Sequence, residues 1–291
     1  MKKCITTVYY LIANFCEIYQ EWEDKKLLLC NSKRHRQGSL DLCELLTIVI
    51  YFYLSPCKDF KNYYLYHLSY KYRGYFTLPS YSRIIQLWPK LILPLALLMQ
   101  LLRGEDTGIY FIDSTKSAIC HDKRTKSNKV FGRIARIGMS SYGWFMGFKL
   151  HLIINSKGEI MAVKITKGNR SDISSVLSMT QGLEGKLFGD KAYISKELFN
   201  KLLAKSLRLL TSIRKDMKKH LLEIEDKEML KKRTLIESVF NVLKNNMCLE
   251  HSMNRSPVNF LVHILACVVG YAIKKLSLKS VISVNQHALL S

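Results

Sequence analysis

The sequence predicts a mixed α/β fold that is preceded by an all-helical N-terminal region. Apolar side chains recur at helical spacing through the first hundred residues, notably over 5–29 and from the Asp41 cap to residue 54. From residue 108 onward, short apolar runs bounded by turn residues are typical of strands, and helical segments separate the later ones. We predict strands over 109–112, 147–154, 159–165, 186–189 and 207–213, and helices over 173–181, 195–205, 229–246 and 259–275.

The change of pattern near residue 105 predicts the domain organisation. We expect a helical region over 1–105, an α/β domain over 106–280 and a tail over 281–291. A chain of 291 residues with 48% hydrophobic side chains is long and apolar enough to bury a sizeable core. Wholesale disorder is therefore excluded.

Charge is the strongest compositional observation. The chain has 45 Lys and Arg against 23 Asp and Glu, which gives a formal net charge of +22 and an isoelectric point of about 9.6. Domains this basic commonly bind polyanions, and nucleic acid is the most common of them. A basic, solvated surface without a partner is the alternative interpretation.

The apolar segments do not predict a membrane protein. Residues 91–99 contain Pro94 and residues 260–273 contain His263, whereas a spanning helix needs about 20 uninterrupted apolar residues. No small-residue cleavage site follows the basic N-terminal segment, so we expect no signal peptide and a cytoplasmic location. The eight cysteines show no Cys-x-x-Cys pair, and we expect reduced, mostly buried thiols.

A segment rich in tyrosine and lysine lies in the helical region. It reads KDFKNYYLYHLSYKYRGY over residues 58–75. Basic residues interleaved with aromatic ones are suited to contact with phosphates and bases. The same pattern also fits an amphipathic helix whose tyrosines belong to the core, and the sequence leaves both interpretations open.

Two of the predicted strands end at an aspartate. Asp113 follows residues 110–112 in YFIDST, and Asp190 follows residues 187–189 in LFGDKAY. A carboxylate at the end of a buried strand is costly unless it is paired or coordinates a cation. Carboxylates are natural ligands of Mg²⁺, and two acids brought to one place by neighbouring strands would require a cation. For each aspartate alone, capping of a turn is an equally good interpretation.

A third acid lies on a predicted helix with one apolar stripe. The stripe consists of Ile236, Val239, Phe240, Leu243 and Met247. At about 100° per residue, the side chains within about 40° of Glu237 belong to Arg233, Asn241 and Lys244. These four residues share one polar face. The alternative is a solvated face with ordinary i, i+4 pairs.

Taken together, the order Asp113, Asp190 and Glu237 resembles the DDE-class transposases of bacterial insertion sequences, and most of all insertion-sequence family 982. Arg233, Glu237 and Lys244 match the Tyr-Arg-Glu-Lys motif of that class, although its tyrosine position holds Leu230. The segments GWFMGFKLHLIINSKGEI and HSMNRSPVNFLVHILA are similar to that family as well. The likeness extends over residues 109–275.

This resemblance implies an RNase H-like mixed sheet flanked by helices. It also implies that Asp113, Asp190 and Glu237 are catalytic and hold Mg²⁺ or Mn²⁺, as two ions. The implied activity is cleavage of double-stranded DNA at the ends of an insertion sequence and transfer of the cut strand into target DNA. Arg233, Lys244 and Lys191 are expected to contact DNA.

The implied setting is a bacterial, nucleoid-associated protein that assembles as a homodimer or a larger oligomer on DNA. Residues 1–105 are then expected to bind the DNA ends. A metal-dependent nuclease without strand transfer and a non-catalytic basic DNA-binding protein are the alternatives. Two further residues stay open: Asp172 fits a helix N-cap better than a fourth acid of the site, and Trp144 fits either base stacking or the core.

Overall fold

The computed structural model describes residues 4–27, 38–120, 124–125, 127–132, 134–140, 143–212, 223–250 and 255–276. The predicted tail over 281–291 lies outside this part of the chain. In chain order the elements are α1 (Ile5–Leu27), α2 (Leu42–Leu54), α3 (Phe60–Asn62), α4 (Ser69–Lys71), α5 (Tyr81–Leu87), α6 (Ile92–Leu101), β1 (Ile109–Cys120), β2 (Arg136–Ser140), β3 (Gly143–Asn155), β4 (Ile160–Lys167), α7 (Ile173–Met179), β5 (Gly185–Gly189), α8 (Lys196–Leu203), β6 (Leu207–Thr211), α9 (Ile224–Lys232), α10 (Thr234–Asn241) and α11 (Pro257–Lys275).

Short segments of other helix types join some of these elements. A π-helical segment, Tyr63–Leu68, connects α3 to α4, and a second one, Val242–Asn246, follows α10. A 3₁₀ turn over Trp88–Leu91 connects α5 to α6, and another over Lys191–Tyr193 follows β5.

The described residues group into two units. Unit 1 comprises those of Met1–Leu102 and Asn246–Ser291, and unit 2 those of Arg103–Asn245. This grouping differs from the predicted α/β region 106–280, because α11 belongs to unit 1.

Within unit 1, α2 begins at the residue that the sequence indicates. The Asp41 carboxylate accepts a hydrogen bond from the Glu44 N–H (2.6 Å), and the Glu44 carboxylate accepts one from the Asp41 N–H (3.0 Å). This reciprocal capping box satisfies two helix-end donors. Ten of the thirteen residues of α2 are buried, so the helix forms part of the core of unit 1.

The helix α11 packs against α2 and α6 in the same unit. Thirteen of its nineteen residues are buried, including His263. Burial lowers the pKa of His263 to about 4, so the ring is neutral at pH 7. Its Nε2 lies 3.2 Å from the Leu249 carbonyl and must donate, and Nδ1 then accepts from the Tyr53 hydroxyl at 2.8 Å. A helix that is apolar on nearly all sides needs partners on several sides, which α2 and α6 provide.

Two helical segments are long and apolar enough to cross a membrane by length and composition alone. They are Tyr81–Leu101 and Pro257–Lys275, with mean hydropathy of 1.6 each. In the second, 72% of the apolar window is buried within the protein, and in the first 39%. Buried core helices meet the same criterion, so length and composition alone do not show that either segment crosses a membrane.

Unit 2 is built on a mixed sheet. β1 pairs antiparallel with β3, and both β2 and β4 pair antiparallel with β3. On the far side of β1, β5 pairs parallel with β1 and β6 pairs parallel with β5. The strand order is therefore β4-β3-β1-β5-β6, with β2 also on β3. Helices flank this sheet, as the sequence predicts.

The core of unit 2 lies between this sheet and the helices α7 and α8. Tyr110 and Ile112 of β1 pack there with apolar residues such as Val176 and Leu198. Each fully buried aliphatic side chain contributes about 1.5–3 kcal/mol relative to an exposed one. Since side chains alternate along a strand, Asp113 points to the opposite face of the sheet, where α10 contacts β1.

The structure corrects the sequence predictions at four points. β1 continues to Cys120 because β3 pairs with its polar half, so Asp113 lies within a strand and not at its end. β2 was missed, and the predicted helix over 229–246 is broken at Arg233 and becomes π-helical after Asn241. The seven described cysteines are free, as expected, but only three of them are buried.

Candidate active site

The first two acids lie at the same level on neighbouring parallel strands. The pairing of β1 with β5 ends at Phe111 opposite Phe188. Asp113 lies two residues after Phe111, and Asp190 lies two residues after Phe188. Asp190 does lie just beyond its strand, whereas Asp113 still pairs opposite Leu152 of β3. The parallel register therefore brings two carboxyl groups, 77 residues apart in sequence (190 minus 113), to one edge of the β1–β5 pairing.

The environment of Asp113 is partly buried, with a side chain that is 23% exposed. The pKa of this carboxyl group is raised to about 6, mainly by burial and to a smaller extent by the charges of Asp190 and Glu237. The Ser114 N–H, which donates to Oδ1 at 2.8 Å, and the Arg233 charge lower the pKa. The three acids are thus close enough to repel one another.

The third acid, Glu237, is connected to Asp113 by Arg233, which lies at the junction of α9 and α10. The guanidinium Nη1 lies 3.4 Å from Asp113 Oδ2, and Nη2 lies 2.8 Å from Glu237 Oε1. Arg233 therefore bridges the two carboxylates. This contact excludes the alternative in which the polar face of the helix lies wholly in solvent. The apolar stripe on the neighbouring face is buried throughout, at Ile236, Val239, Phe240, Leu243 and Met247.

The two predicted DNA-contacting lysines lie beside these acids in the chain. The Lys191 N–H donates to Asp190 Oδ1 at 2.6 Å, and the Lys191 side chain is exposed. Lys244 is half-buried and lies in the π-helical segment after α10. A π-helical residue turns the chain by less than 100°, so the α-helical phase that placed Lys244 beside Glu237 does not apply. Contact with DNA remains a prediction for both.

A fourth acid, Asp172, belongs to a polar network next to Asp113. Its Oδ1 accepts from the Ser114 hydroxyl (3.0 Å) and from Lys149 Nζ (3.0 Å). Lys149 also donates to the Arg170 carbonyl at 3.1 Å. Asp172 occupies the predicted N-cap position of α7, but its side chain makes no capping hydrogen bond. Ser114 links Asp172 to Asp113, because its N–H binds one acid and its hydroxyl the other.

Sequence reasoning missed Lys149 and His151, which share β3. A lysine and a histidine inside the apolar run GWFMGFKLHLIIN were the available signal. His151 is fully buried, and its Nε2 lies 2.8 Å from Thr166 Oγ1. Burial lowers the pKa of His151 to about 4, and its Nδ1 lies 3.9 Å from Asp172 Oδ1.

Trp144, at the start of β3, is 63% exposed. The interpretation that places it in the core is therefore wrong. An exposed indole in unit 2 is free to contact a base, which keeps the other interpretation as a prediction.

The donor set of the site fits a hard divalent cation, since Asp113, Asp190 and Glu237 offer carboxylate oxygens only. Among the residues that the structure describes, however, no three His, Cys, Asp or Glu side chains are arranged closely enough to hold a metal ion. The Arg233 guanidinium lies between Asp113 and Glu237 and supplies the positive charge there. Binding of one ion by both acids would require Arg233 to move aside.

These elements define a mixed α/β domain with acidic side chains gathered where the parallel pairing of β1 with β5 ends. Residues 103–257, more than half of the chain, match the family model described as a transposase DDE domain, and the chain therefore belongs to this family. No curated protein is significantly similar to the chain.

One solved structure with a similar fold is the cryo-EM structure of a piggyBac transposase synaptic complex with hairpin DNA. The TM-score is 0.50 and the sequence identity 11%, over 92% of this chain and 74% of that one. At this identity the likeness concerns the fold alone.

Proposed function

We propose that this chain is a DNA transposase that cuts DNA at the ends of an insertion sequence and joins the freed 3′-hydroxyl to target DNA. The observation that carries the proposal is the clustering of three acids: Asp113 and Asp190 at one level of the parallel strands, and Glu237 joined to Asp113 through Arg233. Membership in the transposase DDE domain family supports transposition. Insertion-sequence family 982, a bacterial source and a nucleoid-associated cytoplasmic location are part of the same proposal.

We infer that unit 2 is RNase H-like. The strand order β4-β3-β1-β5-β6, with an antiparallel first half and a parallel second half, supports this assignment. In this arrangement β1 is central and carries the first acid, the neighbouring β5 leads to the second, and a helix against β1 carries the third.

Asp113, Asp190 and Glu237 would hold Mg²⁺ or Mn²⁺, as two ions. A bound divalent ion lowers the pKa of an attacking water or hydroxyl group and neutralises charge at the scissile phosphate. The chain itself contributes the positions of the three carboxylates. The Ser114 N–H and Arg233 donate to Asp113, Arg233 donates to Glu237, and the Lys191 N–H donates to Asp190. A pKa of about 6 leaves Asp113 mostly ionised at pH 7 and above, as a ligand must be.

Positive side chains would position the DNA. When Arg233 leaves the carboxylates, its guanidinium is suited to bidentate contact with a phosphate. Lys191, which follows Asp190 directly in the chain, and Lys244 would add further positive charge for the DNA. The net charge of +22 supports binding of double-stranded DNA, of both the element ends and the target, by a homodimer or a larger assembly.

The test is incubation of the purified chain with a labelled duplex that carries the DNA bordering its gene, with Mg²⁺ and with EDTA. The proposal expects cut strands and, with a second duplex present, joined products that depend on Mg²⁺. Cut strands without joined products would instead identify a nuclease. Binding without either product would identify a non-catalytic DNA-binding protein, and Asp113→Asn serves as the control for contaminating nucleases.

A further inference from the structure

The structure divides the tyrosines of the KDFKNYYLYHLSYKYRGY segment into two sets. Tyr63 is fully buried and its hydroxyl donates to the Ile48 carbonyl at 3.1 Å, and Tyr64 is buried as well. Tyr66 and Tyr70 are instead 68% and 89% exposed. The interpretation as core tyrosines is thus correct for the first set, and contact with phosphates and bases stays a prediction for the second. The exposed rings of Tyr66 and Tyr70 are therefore not part of the core of unit 1.

Tyr66 and Tyr70 line an open cleft of about 780 Å³. Leu65, His67 and Arg73 also line it. A volume of this size lies within the range of about 300–1,000 Å³ that is usual for ligand sites. We call this site the tyrosine cleft. Tyr66 and Tyr70 are strongly exposed walls of this cleft, and Arg73 is exposed as well.

One residue that lines the cleft, His67, is connected to further aromatic contacts. The hydroxyl groups of Tyr51 and Tyr72 are 2.9 Å apart, and the two rings meet edge to face with centroids at 5.8 Å. The His67 ring lies 6.3 Å from the Tyr72 ring. Tyr66 itself belongs to the π-helical segment Tyr63–Leu68, and π-helical turns often occur at functional sites. A ligand would therefore meet a preformed surface.

The charge around the tyrosine cleft is positive. Residues 56–75 contain four Lys and Arg and a single acid, Asp59. That acid is used at the start of α3, where its carboxylate accepts from the Asn62 N–H at 2.9 Å. Lys61 and Lys71 are exposed, like Arg73. Exposed aromatic faces among positive charges match a ligand that has flat rings and phosphates.

We propose that the tyrosine cleft binds unpaired nucleotides of the transposon DNA, with bases stacked on Tyr66 and Tyr70 and the backbone phosphates near Arg73 and Lys71. Only unpaired or flipped bases offer a free face, since the faces of paired bases are covered by their neighbours in the duplex. The inference rests on the proposed function, because it assumes that DNA is the substrate.

A second copy of the chain is the competing occupant. Tyrosine is also enriched in protein interfaces, but the centre of such an interface is depleted of charged residues, and lysine is depleted throughout. Here Arg73 lines the cleft beside the exposed rings, and the exposed Lys61 and Lys71 lie in the same segment. The charge pattern therefore favours nucleic acid.

The experiment compares two labelled DNAs by fluorescence anisotropy in EDTA: a duplex with a single-stranded 3′ overhang and the same duplex fully paired. Tyr66→Ala and Tyr70→Ala should each weaken binding of the overhang DNA about tenfold, the usual effect of losing one stacked base. Binding of the paired duplex should stay unchanged. Tyr70→Phe should bind normally, because it keeps the ring. Tyr10→Ala, which removes a 59% exposed tyrosine from α1, is the matched control.

Equal affinity of the alanine variants and the unaltered chain for the overhang DNA would overturn the proposal. It would also be overturned if these variants lost self-association in sedimentation experiments while they bound both DNAs normally. Failure of the proposed function would be recognised by a different measurement. That function requires Mg²⁺-dependent cutting by the unaltered chain, which neither of these binding results measures.

Discussion

Arg233 lies 120 positions after Asp113, and its guanidinium Nη1 is 3.4 Å from the Asp113 Oδ2. The same guanidinium donates to Glu237 at 2.8 Å. An arginine between two carboxylates supplies the positive charge that a partly buried acid pair requires. If Asp113 and Glu237 bind a divalent ion as proposed, Arg233 and that ion compete for the same oxygens.

Substitution of each proposed ligand is expected to abolish chemistry and leave binding intact. Asp113→Asn, Asp190→Asn and Glu237→Gln should each remove cutting and joining, because the proposed ions lose a ligand. Affinity for duplex DNA should stay equal or rise slightly, since each change removes a negative charge beside phosphates. Gel assays with labelled DNA measure both effects.

The matched control for these acids is Glu228→Gln, an exposed acid of α9. It should leave cutting, joining and binding unchanged. Full cutting activity in the Glu237→Gln variant would show that Glu237 is not a ligand. The third ligand would then be sought first at Asp172.

Replacement of Arg233 is expected to separate metal affinity from DNA affinity. Arg233→Gln frees Asp113 and Glu237 from their ion pairs, so Mn²⁺ should bind several-fold more tightly in the absence of DNA, as measured by calorimetry. The slope of log affinity for duplex DNA against log salt should fall by about one, as expected for one lost phosphate contact. Lys244→Gln should lower the salt slope equally and leave Mn²⁺ affinity unchanged. Unaltered Mn²⁺ affinity in Arg233→Gln would contradict competition.

Ser114 and Asp172 are expected to act together in positioning Asp113. Ser114→Ala removes the hydroxyl that donates to Asp172 at 3.0 Å, and Asp172→Ala removes the acceptor. Each substitution should lower the cutting rate by about tenfold, because Ser114, whose N–H binds Asp113, is then held less firmly. The double variant should be no slower than the worse single variant. Rates that multiply would show that the two residues act independently.

Stability is expected to fall in mild acid because of His263. Its folded pKa of about 4 lies below the unfolded value of about 6.5, so the unfolded chain binds the extra proton between these values. The stabilising contribution is complete above pH 6.5 and is lost as the pH falls towards 4. At about pH 5.5 this group alone should lower the free energy of unfolding by about 1.4 kcal/mol.

Urea unfolding followed by circular dichroism at neutral and mildly acidic pH measures this change. His263→Gln keeps a donor and an acceptor for Leu249 and Tyr53 but cannot be protonated, so it should show a smaller decline than the unaltered chain. Part of the decline should remain, because burial also lowers the pKa of His151 to about 4. An equal decline in both proteins would contradict the assignment to His263.

Local patterns predicted much of the fold. The Asp41–Glu44 capping box, the apolar stripe of α10 and the short strand β5 follow from residue spacing and from side-chain hydrogen bonding over a few positions. The length of β1 could not be predicted in this way. Its second half is polar, and it is a strand because β3 pairs with it across some thirty residues of intervening chain.

The order of the three acids, their residue types and the family resemblance were determined by the sequence alone, since they depend only on which residues follow one another. The tertiary structure decided which side chains meet: Arg233 with Asp113, Asp172 with Ser114 and Lys149, and which tyrosines of one segment are buried. Such contacts depend on strand register and on helix packing between distant segments. Register is a property of the paired strands and not of either strand alone, so only the folded chain could determine it.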